Sequence, residues 1–201
     1  MSDDPTHVRE FFGTRAADWD SRFPDDGPAY AAAMGDLGLR PGDAVLDAGC
    51  GTGRALPPLR AAVGPSGTVL GADLTPEMIE QAVGAGRGGE TGGTLLLADV
   101  GRLPVRDGAL DAVFGAGLIS HLAEPVDGLR ELARVVRPGG RLALFHPIGR
   151  AALAARHGRQ ITPDDLRAEP RLRPLLAEAG WRLVSYVDED TRYLALAVRE
   201  G

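Results

Sequence analysis

The feature that most constrains this chain is a glycine-rich turn that directly follows a short apolar strand. The segment from Val45 to Arg54 reads Val-Leu-Asp-Ala-Gly-Cys-Gly-Thr-Gly-Arg, with three glycines at every second position. Glycine lets the backbone turn sharply and lets a ligand lie against the main chain. A helix that starts at the same place supplies free N–H groups. The segment therefore predicts a strand, a ligand-binding loop and a helix, in that order.

The glycine spacing differs from that of two common nucleotide-binding loops. A dinucleotide fingerprint has the pattern G-x-G-x-x-G. Counted from Gly49, its third glycine would fall where this chain has Arg54. A phosphate-binding P-loop requires a lysine, and all 22 basic residues here are arginine. The pattern is G-x-G-x-G, so neither loop is indicated.

Acidic residues follow three successive apolar strands. Asp47 ends the strand before the glycines, Asp73 follows Thr68 to Ala72, and Asp99 follows Leu95 to Ala98. In doubly wound sheets, ligands bind beyond the carboxyl ends of the strands, and an acid after the second strand can bind a ribose diol. We therefore expect the three carboxylates to face one ligand site.

Strands and helices alternate along most of the chain. Strands are expected at 44–47, 68–73, 95–98, 110–114, 141–145, 181–187 and 193–198, and helices at 76–83, at 126–136 and over much of 150–179. Such alternation implies right-handed crossovers and a mostly parallel sheet covered on both faces. The last two strands are too close for a helical crossover, so they should pair as an antiparallel hairpin. We predict an α/β fold with a doubly wound, mostly parallel seven-stranded sheet and an antiparallel C-terminal edge hairpin.

A chain of 201 residues fits one domain. We divide it into an N-terminal helical arm over 1–40, a cofactor-binding core over 41–146, and substrate-side helices with the closing hairpin over 147–201. Prolines between Pro24 and Pro28 should break the arm into two pieces. No large cap domain is present, which favours a small acceptor in a pocket completed by the arm or by the second subunit of a homodimer.

Charge and composition exclude several classes of protein. The formal net charge of -6 weakens the case for nucleic acid as a partner. No apolar run approaches the ~20 residues of a membrane span, and the N-terminus lacks the features of a secretory signal, so we expect a cytoplasmic protein without a membrane partner. Cys50, the single cysteine, excludes a disulfide framework and a multi-cysteine metal site, and we expect no metal.

The ordered motifs resemble those of class I S-adenosylmethionine-dependent methyltransferases. The resemblance covers about residues 40 to 146 and is strongest to the small-molecule branch that includes the ubiquinone/menaquinone-type C-methyltransferases. It implies a Rossmann-like fold, S-adenosyl-L-methionine as cofactor with S-adenosyl-L-homocysteine as product, and in-line methyl transfer to an O, N or C nucleophile of a small molecule. The matching segments are Val45 to Arg54, Gly71 to Ile79, Ala98 to Val100 with Leu103-Pro104, Leu110 to Phe114, and Arg134 to Leu142.

The same resemblance implies roles for the residues around the glycine loop. The loop glycines would cradle the methionine part of the cofactor, namely Gly49, Gly51 and Gly53. Asp47 would lie beneath this part, and Asp73 would hold the ribose hydroxyls.

Further residues are implied at the adenine and at the sulfonium. Leu74 and Met78 would flank the adenine. Asp99 would accept a hydrogen bond from its amino group, and Val100 would offer a backbone N–H to the ring. Ala116, just past the fourth strand, would lie near the sulfonium.

Methyl transfer from a sulfonium depends mainly on positioning, but a hydroxyl or acidic carbon acceptor also needs a base. Histidine suits that task near neutral pH. His121 follows the fourth strand and His146 ends the fifth, so both are candidate catalytic or substrate-binding residues; a structural role is the alternative for each. The segment from Ile148 to Asp165 contains Arg150, Arg156 and Arg159, which either form a solvated helix face or meet an anionic acceptor.

Three other functions remain open from the sequence. The acceptor could be a protein or a nucleic acid, although Phe114 to Gly117 stands where an N-P-P-Y type motif would be expected. The chain could instead be a nucleotide-binding Rossmann protein without methyltransferase activity. It could also be an inactive protein that keeps the cofactor pocket.

Overall fold

A computed structural model describes residues 5–22 and 26–201. The seven strands are β1 Ala44–Ala48, β2 Thr68–Asp73, β3 Thr94–Leu97, β4 Leu110–Ala116, β5 Val136–His146, β6 Trp181–Glu189 and β7 Arg192–Arg199. The helices of the described ranges are α1 Pro5–Gly13, α2 Gly27–Leu37, α3 Leu56–Val63, α4 Pro76–Gly84, α5 Pro125–Val135, α6 Arg150–Arg156 and α7 Glu169–Glu178.

The strands form one sheet in the order β3-β2-β1-β4-β5-β7-β6. Pairing is parallel from β3 to β5, whereas β7 is antiparallel to both β5 and β6. The predicted fold class is confirmed, including the closing hairpin. The order reverses between β1 and β4, which is where doubly wound sheets bind their ligands.

Both faces of the sheet are covered by hydrophobic cores. Successive residues of β1 point to opposite faces, so Leu46 packs with Val113 and Trp181 in one cluster, while Val45 packs with Phe114 in the other. This burial on both faces explains the almost continuous apolar strands in the sequence. It also leaves the carboxyl ends of the strands as the place where polar residues can gather.

Three local predictions need correction. Helix α3 begins at Leu56, so the glycine loop continues as a series of turns through Ala55 rather than opening a helix directly. Strand β5 begins at Val136, earlier than predicted, because Leu110 pairs with Val136 and Ala112 with Arg141, which makes the Pro-Gly-Gly segment a bulge. Residues 157–168 separate α6 from α7 and are not helical.

The N-terminal arm contains α1 and α2, as predicted. The break expected between Pro24 and Pro28 lies partly outside the described residues, as does the start of the arm at residues 1–4. Helix α1 packs on α4, and α2 packs on α3 and β5. Asp36 of α2 also forms an ion pair of 2.6 Å with Arg192 at the start of β7. The arm therefore contacts α4 through α1, and α3, β5 and β7 through α2.

No helix within 5–22 and 26–201 has the length and apolar character needed to cross a membrane.

Candidate functional site

A cavity of about 1050 Å³ lies beyond the carboxyl ends of β1, β2, β4 and β5. The arm covers one side of it, and α6 with the segment that follows covers another. Pockets for single small ligands usually measure about 300–1,000 Å³. The cavity therefore has room for more than one small ligand.

The glycine loop follows β1 along the wall of this cavity. Gly49 has φ +68° and Gly51 has φ +53°, a region that favours glycine. The Gly49 N–H donates to the Ala72 carbonyl at 2.8 Å. A Cβ added at Gly51 would have Met78 Sδ, 3.9 Å away, as its nearest neighbour. The main chain of Gly51 is thus open to a ligand.

Gly53 has a different position from the other two loop glycines. It is not part of the cavity lining, and a Cβ there would meet Leu56 Cδ1 at 3.0 Å and Ala82 Cβ at 3.2 Å. Gly53 allows the loop to pack closely against α3 and α4. The direct contact with the cofactor that the resemblance implied for Gly53 stays a prediction.

Asp47 lines the cavity from beneath the loop. The residue is 1% exposed, and neither carboxylate oxygen has a hydrogen-bond partner in the described part of the chain. Burial, with a further contribution from the charge of Asp73, raises the pKa of Asp47 to about 8. A buried polar group without a partner is costly. This carboxyl can therefore accept a hydrogen bond from a ligand group in the cavity, or form an ion pair with a positively charged one.

Asp73 joins the loop to the end of β2. Its Oδ2 accepts the Gly51 N–H at 2.8 Å and its Oδ1 accepts the Thr75 N–H at 2.8 Å. Burial raises the pKa of Asp73, against the lowering effect of these backbone hydrogen bonds. The carboxylate is held in one orientation at the cavity wall, and each oxygen keeps capacity to accept another hydrogen bond.

The residues assigned to the adenine also line the cavity. Met78 is 1% exposed and Val100 is 7% exposed, and both line the cavity with Leu74. Asp99 is exposed, and its Oδ1 accepts the Gly101 N–H at 2.8 Å. The structure therefore places all four of these residues on the lining of one cavity.

His121 and His146 both line the cavity, as does Ala116. The ring of His121 packs edge-on against Phe12 of the arm, with 5.0 Å between the ring centroids. Nδ1 of His146 lies 2.8 Å from the Ile148 carbonyl oxygen and 3.1 Å from the Ile148 amide nitrogen. The backbone thus occupies Nδ1, leaving Nε2 for a ligand.

Burial, together with the nearby charges of Arg167 and Arg156, lowers the pKa of His146 to about 4, against the raising effect of its hydrogen bond with the Ile148 backbone. His146 is therefore neutral near pH 7. In that state it can accept a hydrogen bond or a proton, although it is a weak base.

A contact between the arm and the glycine loop was not predicted. Thr52 Oγ1 donates to Asp20 Oδ1 at 2.6 Å. Arg87 forms an ion pair with Asp20 Oδ2 at 2.6 Å and donates to the Thr52 carbonyl at 2.8 Å. We call Asp20, Thr52 and Arg87 the arm clamp. No spacing could have indicated it, because the three residues come from separate parts of the chain.

Cys50 and metal binding add nothing to the chemistry of the site. Cys50 is 7% exposed, and burial strongly raises the pKa of its thiol, so it is a poor nucleophile. Across the described residues, no group of three or more His, Cys, Asp or Glu side chains is arranged to hold a metal ion.

Sequence comparison relates this chain to known enzymes. Residues 46–144 match the family model described as a methyltransferase domain. The ubiquinone/menaquinone biosynthesis C-methyltransferase UbiE of Ectopseudomonas mendocina is 32% identical over 178 residues, covering 74% of this chain and 69% of the relative. The arsenite methyltransferase of Halobacterium salinarum is 29% identical over 198 residues, covering 85% of this chain and 48% of the relative.

A solved structure agrees over almost the whole fold. A S-adenosylmethionine-dependent methyltransferase from Aquifex aeolicus is 26% identical, with a TM-score of 0.72 over 98% of each chain. The chain spans less than half the length of several curated relatives, including the arsenite methyltransferase.

Proposed function

Because the chain belongs to the S-adenosylmethionine-dependent methyltransferases, we propose that it transfers the methyl group of S-adenosylmethionine to a small-molecule acceptor. The observation that carries this proposal is the cavity itself. One continuous space of about 1050 Å³ joins the glycine loop and Asp73 to His121 and His146. Cofactor and acceptor can therefore occupy it side by side.

The residues at the loop end fit the cofactor. The unpartnered carboxyl of Asp47 suits the positively charged amino group of the methionine part. The open main chain at Gly51 suits a ligand that lies against the backbone, together with Gly49. Asp73 would bind the ribose hydroxyls, and each such hydrogen bond to a charged acceptor contributes about 1.5–3 kcal/mol.

The adenine would lie between Leu74 and Met78, with Asp99 and the Val100 backbone at the edge of the ring. All four line the cavity. Ala116 also lines the cavity and would lie near the sulfonium.

S-adenosylmethionine supplies a methyl group already activated on a sulfonium. The protein's own residues would therefore bind and orient the acceptor and exclude water. Phe12 and Trp19 of the arm line the cavity and would form part of this cover. His146 is neutral and would accept a proton or a hydrogen bond through Nε2 where the acceptor requires it, and His121 is the second candidate.

Three observations support a small acceptor rather than a macromolecule. The cavity is covered by the arm of the same chain, the net charge is -6, and curated relatives are named for small molecules such as arsenite and 27-O-demethylrifamycin SV. The arm covers one side of the cavity, and completion of the pocket by the second subunit of a homodimer stays a prediction.

Thermal unfolding tests the proposal directly. Ligand at about 100 times its dissociation constant stabilises a protein by ~2.7 kcal/mol, which raises the midpoint by roughly 5–10 °C for a domain of this size. We expect this shift with S-adenosylmethionine and S-adenosylhomocysteine and no shift with NADH. A shift with NADH alone, or with none of the three, would contradict the proposal. Detection of S-adenosylhomocysteine formed with a panel of small acceptors would then identify the substrate.

A further inference from the structure

The two ends of the cavity differ in charge. The glycine-loop end is lined by the acids Asp47, Asp73 and Asp99 and by Arg54, which forms an ion pair with Asp26 at 3.5 Å. The other end, which we call the α6 end, is formed by α6 and by residues 157–167. Its lining is rich in basic side chains, namely Arg156, His157, Arg159 and Arg167.

Asp165 is the one acid that lines the α6 end within the described ranges, and it is already neutralised. Arg167 binds it with both arms of the guanidinium, Nε to Oδ1 at 3.1 Å and Nη2 to Oδ2 at 3.1 Å. Arg150 Nη1 lies 3.6 Å from the same carboxylate, while its Nε donates to Asp188 at 2.8 Å. The negative charge of Asp165 is therefore already compensated by Arg167 and Arg150.

Arg156 and Arg159 are the unbalanced charges of the α6 end. Both are exposed, and neither guanidinium has a salt bridge within 4.0 Å or a hydrogen bond to any residue in 5–22 or 26–201. They lie three positions apart, at the end of α6 and in the turn that follows. The α6 end thus presents two unpaired guanidinium groups to whatever enters the cavity.

Apolar side chains accompany these arginines. Ile161 is 50% exposed, and it lines the cavity with Leu153 of α6 and with Ile148, which precedes that helix. Large apolar side chains left accessible inside a cavity commonly mark a binding surface. The α6 end therefore combines an apolar wall with two cations.

We propose that the methyl acceptor is a small molecule with an apolar body and one oxyanion group, a carboxylate or a phosphate, which Arg156 and Arg159 bind. Guanidinium groups match both oxyanions through paired hydrogen bonds. The apolar body would lie against Ile148, Leu153 and Ile161. This inference rests on the proposed function, because it assigns the substrate class of the same site.

The test uses S-adenosylhomocysteine-loaded protein and four probes: phenylacetate, phenyl phosphate, neutral phenylacetamide and inorganic phosphate. Ligand-observed NMR titration gives the affinity for each. We expect wild type to bind phenylacetate or phenyl phosphate at least about tenfold more tightly than phenylacetamide. The relative affinities of the two anions then identify the oxyanion, and inorganic phosphate shows how much of the binding needs the apolar body.

The Arg156→Gln/Arg159→Gln double variant should lose this preference and bind phenylacetamide as wild type does. Arg171→Gln is the matched control, because Arg171 is also exposed but does not line the cavity. The inference would be overturned if wild type bound the anionic and neutral probes with equal affinity, or bound neither anionic probe. It would also be overturned if Arg171→Gln lost the preference for anionic probes as much as the double variant does.

Calorimetry of S-adenosylhomocysteine binding to the same samples separates this inference from the proposed function. The double variant should bind S-adenosylhomocysteine with wild-type affinity. Failure of wild type to bind it would contradict the proposed function, whereas normal binding without a preference for anions would overturn the substrate class alone.

Discussion

The Gly51 N–H donates a hydrogen bond of 2.8 Å to Asp73 Oδ2, so the acid at the end of β2 holds the glycine loop that follows β1. The other oxygen of the carboxylate accepts the Thr75 N–H. One side chain thereby fixes two segments of the cofactor site. Its substitution should change both the shape of the loop and the binding of the ribose.

Asp73→Asn should weaken S-adenosylhomocysteine binding at least about tenfold, because a charge-assisted hydrogen bond is lost and an amide can accept only one of the two backbone N–H groups with its oxygen. Isothermal titration calorimetry measures the change. Asp43→Asn is the control, since Asp43 also accepts a backbone N–H, from Arg40 at 2.8 Å, but does not line the cavity. Unchanged affinity in Asp73→Asn would remove Asp73 from the ribose site.

Gly51→Ala should reduce cofactor affinity by more than its effect on stability explains. An alanine with φ +53° costs roughly 1–2 kcal/mol, and its Cβ would occupy space against the loop where the ligand lies. Gly180→Ala provides the comparison, because Gly180 has φ +84° with no atom within 4 Å of its added Cβ. Thermal unfolding and calorimetry should show similar destabilisation in both variants and lost cofactor binding only in Gly51→Ala. Equal cofactor affinity in the two would show that the ligand does not approach Gly51.

Asp47 should make the stability of the ligand-free protein depend on pH. Its pKa is raised from 3.8 to about 8 in the fold, so the carboxyl is neutral in the folded protein over a range in which it is ionised when unfolded. The contribution of the neutral Asp47 carboxyl to the free energy of unfolding is fully present below pH 3.8. It is lost as the pH rises to about 8. Relative to Asp47→Asn, wild type should therefore lose stability with a slope of up to about 1.4 kcal/mol per pH unit.

Denaturant unfolding of both proteins across this pH range measures the difference. Asp111→Asn is the control, because partial burial raises the pKa of Asp111 but hydrogen bonds from the Ala44 N–H and Arg137 lower it overall. The stabilisation by ionised Asp111 is lost only as the pH falls below the usual range of aspartate pKa values. The difference in unfolding free energy between wild type and Asp111→Asn should therefore not change with pH above that range. A flat difference for Asp47→Asn as well would show that Asp47 is ionised in the folded protein.

Asp20→Ala should accelerate release of S-adenosylhomocysteine, since the arm clamp ties the arm to the loop through Thr52 and Arg87. Stopped-flow displacement gives the dissociation rate. Asp18→Ala is the matched control, as Asp18 is an exposed acid in the same arm and takes no part in the clamp. An unchanged rate in Asp20→Ala would mean that the arm does not limit release.

Much of the core could be predicted from the sequence, because it depends on local patterns. The strand Thr68–Asp73 has its predicted bounds, and α4 begins at Pro76 as predicted. The position of acids after successive strands indicated the common edge at which Asp47 and Asp73 meet. These features follow from hydrophobic periodicity and from the geometry of parallel sheets.

The remaining features depend on contacts between distant parts of the chain. Gly53 shares the spacing of Gly49 and Gly51, yet it packs against Ala82 because the loop continues before α3 begins. The arm clamp joins Asp20 to Arg87, which no local pattern indicates. The lowered pKa of His146 likewise depends on burial and on cations of the α6 end.

The position of β7 has a consequence for how this protein is made. This strand is the last of the seven in the chain but lies inside the sheet, between β5 and β6, and Tyr193 pairs with His146. During synthesis, β5 therefore keeps an unpaired edge until residues 192–199 leave the ribosome. Unpaired edges promote aggregation, so pairing with β7 removes a site of misassembly beside the candidate catalytic histidine of the nascent protein.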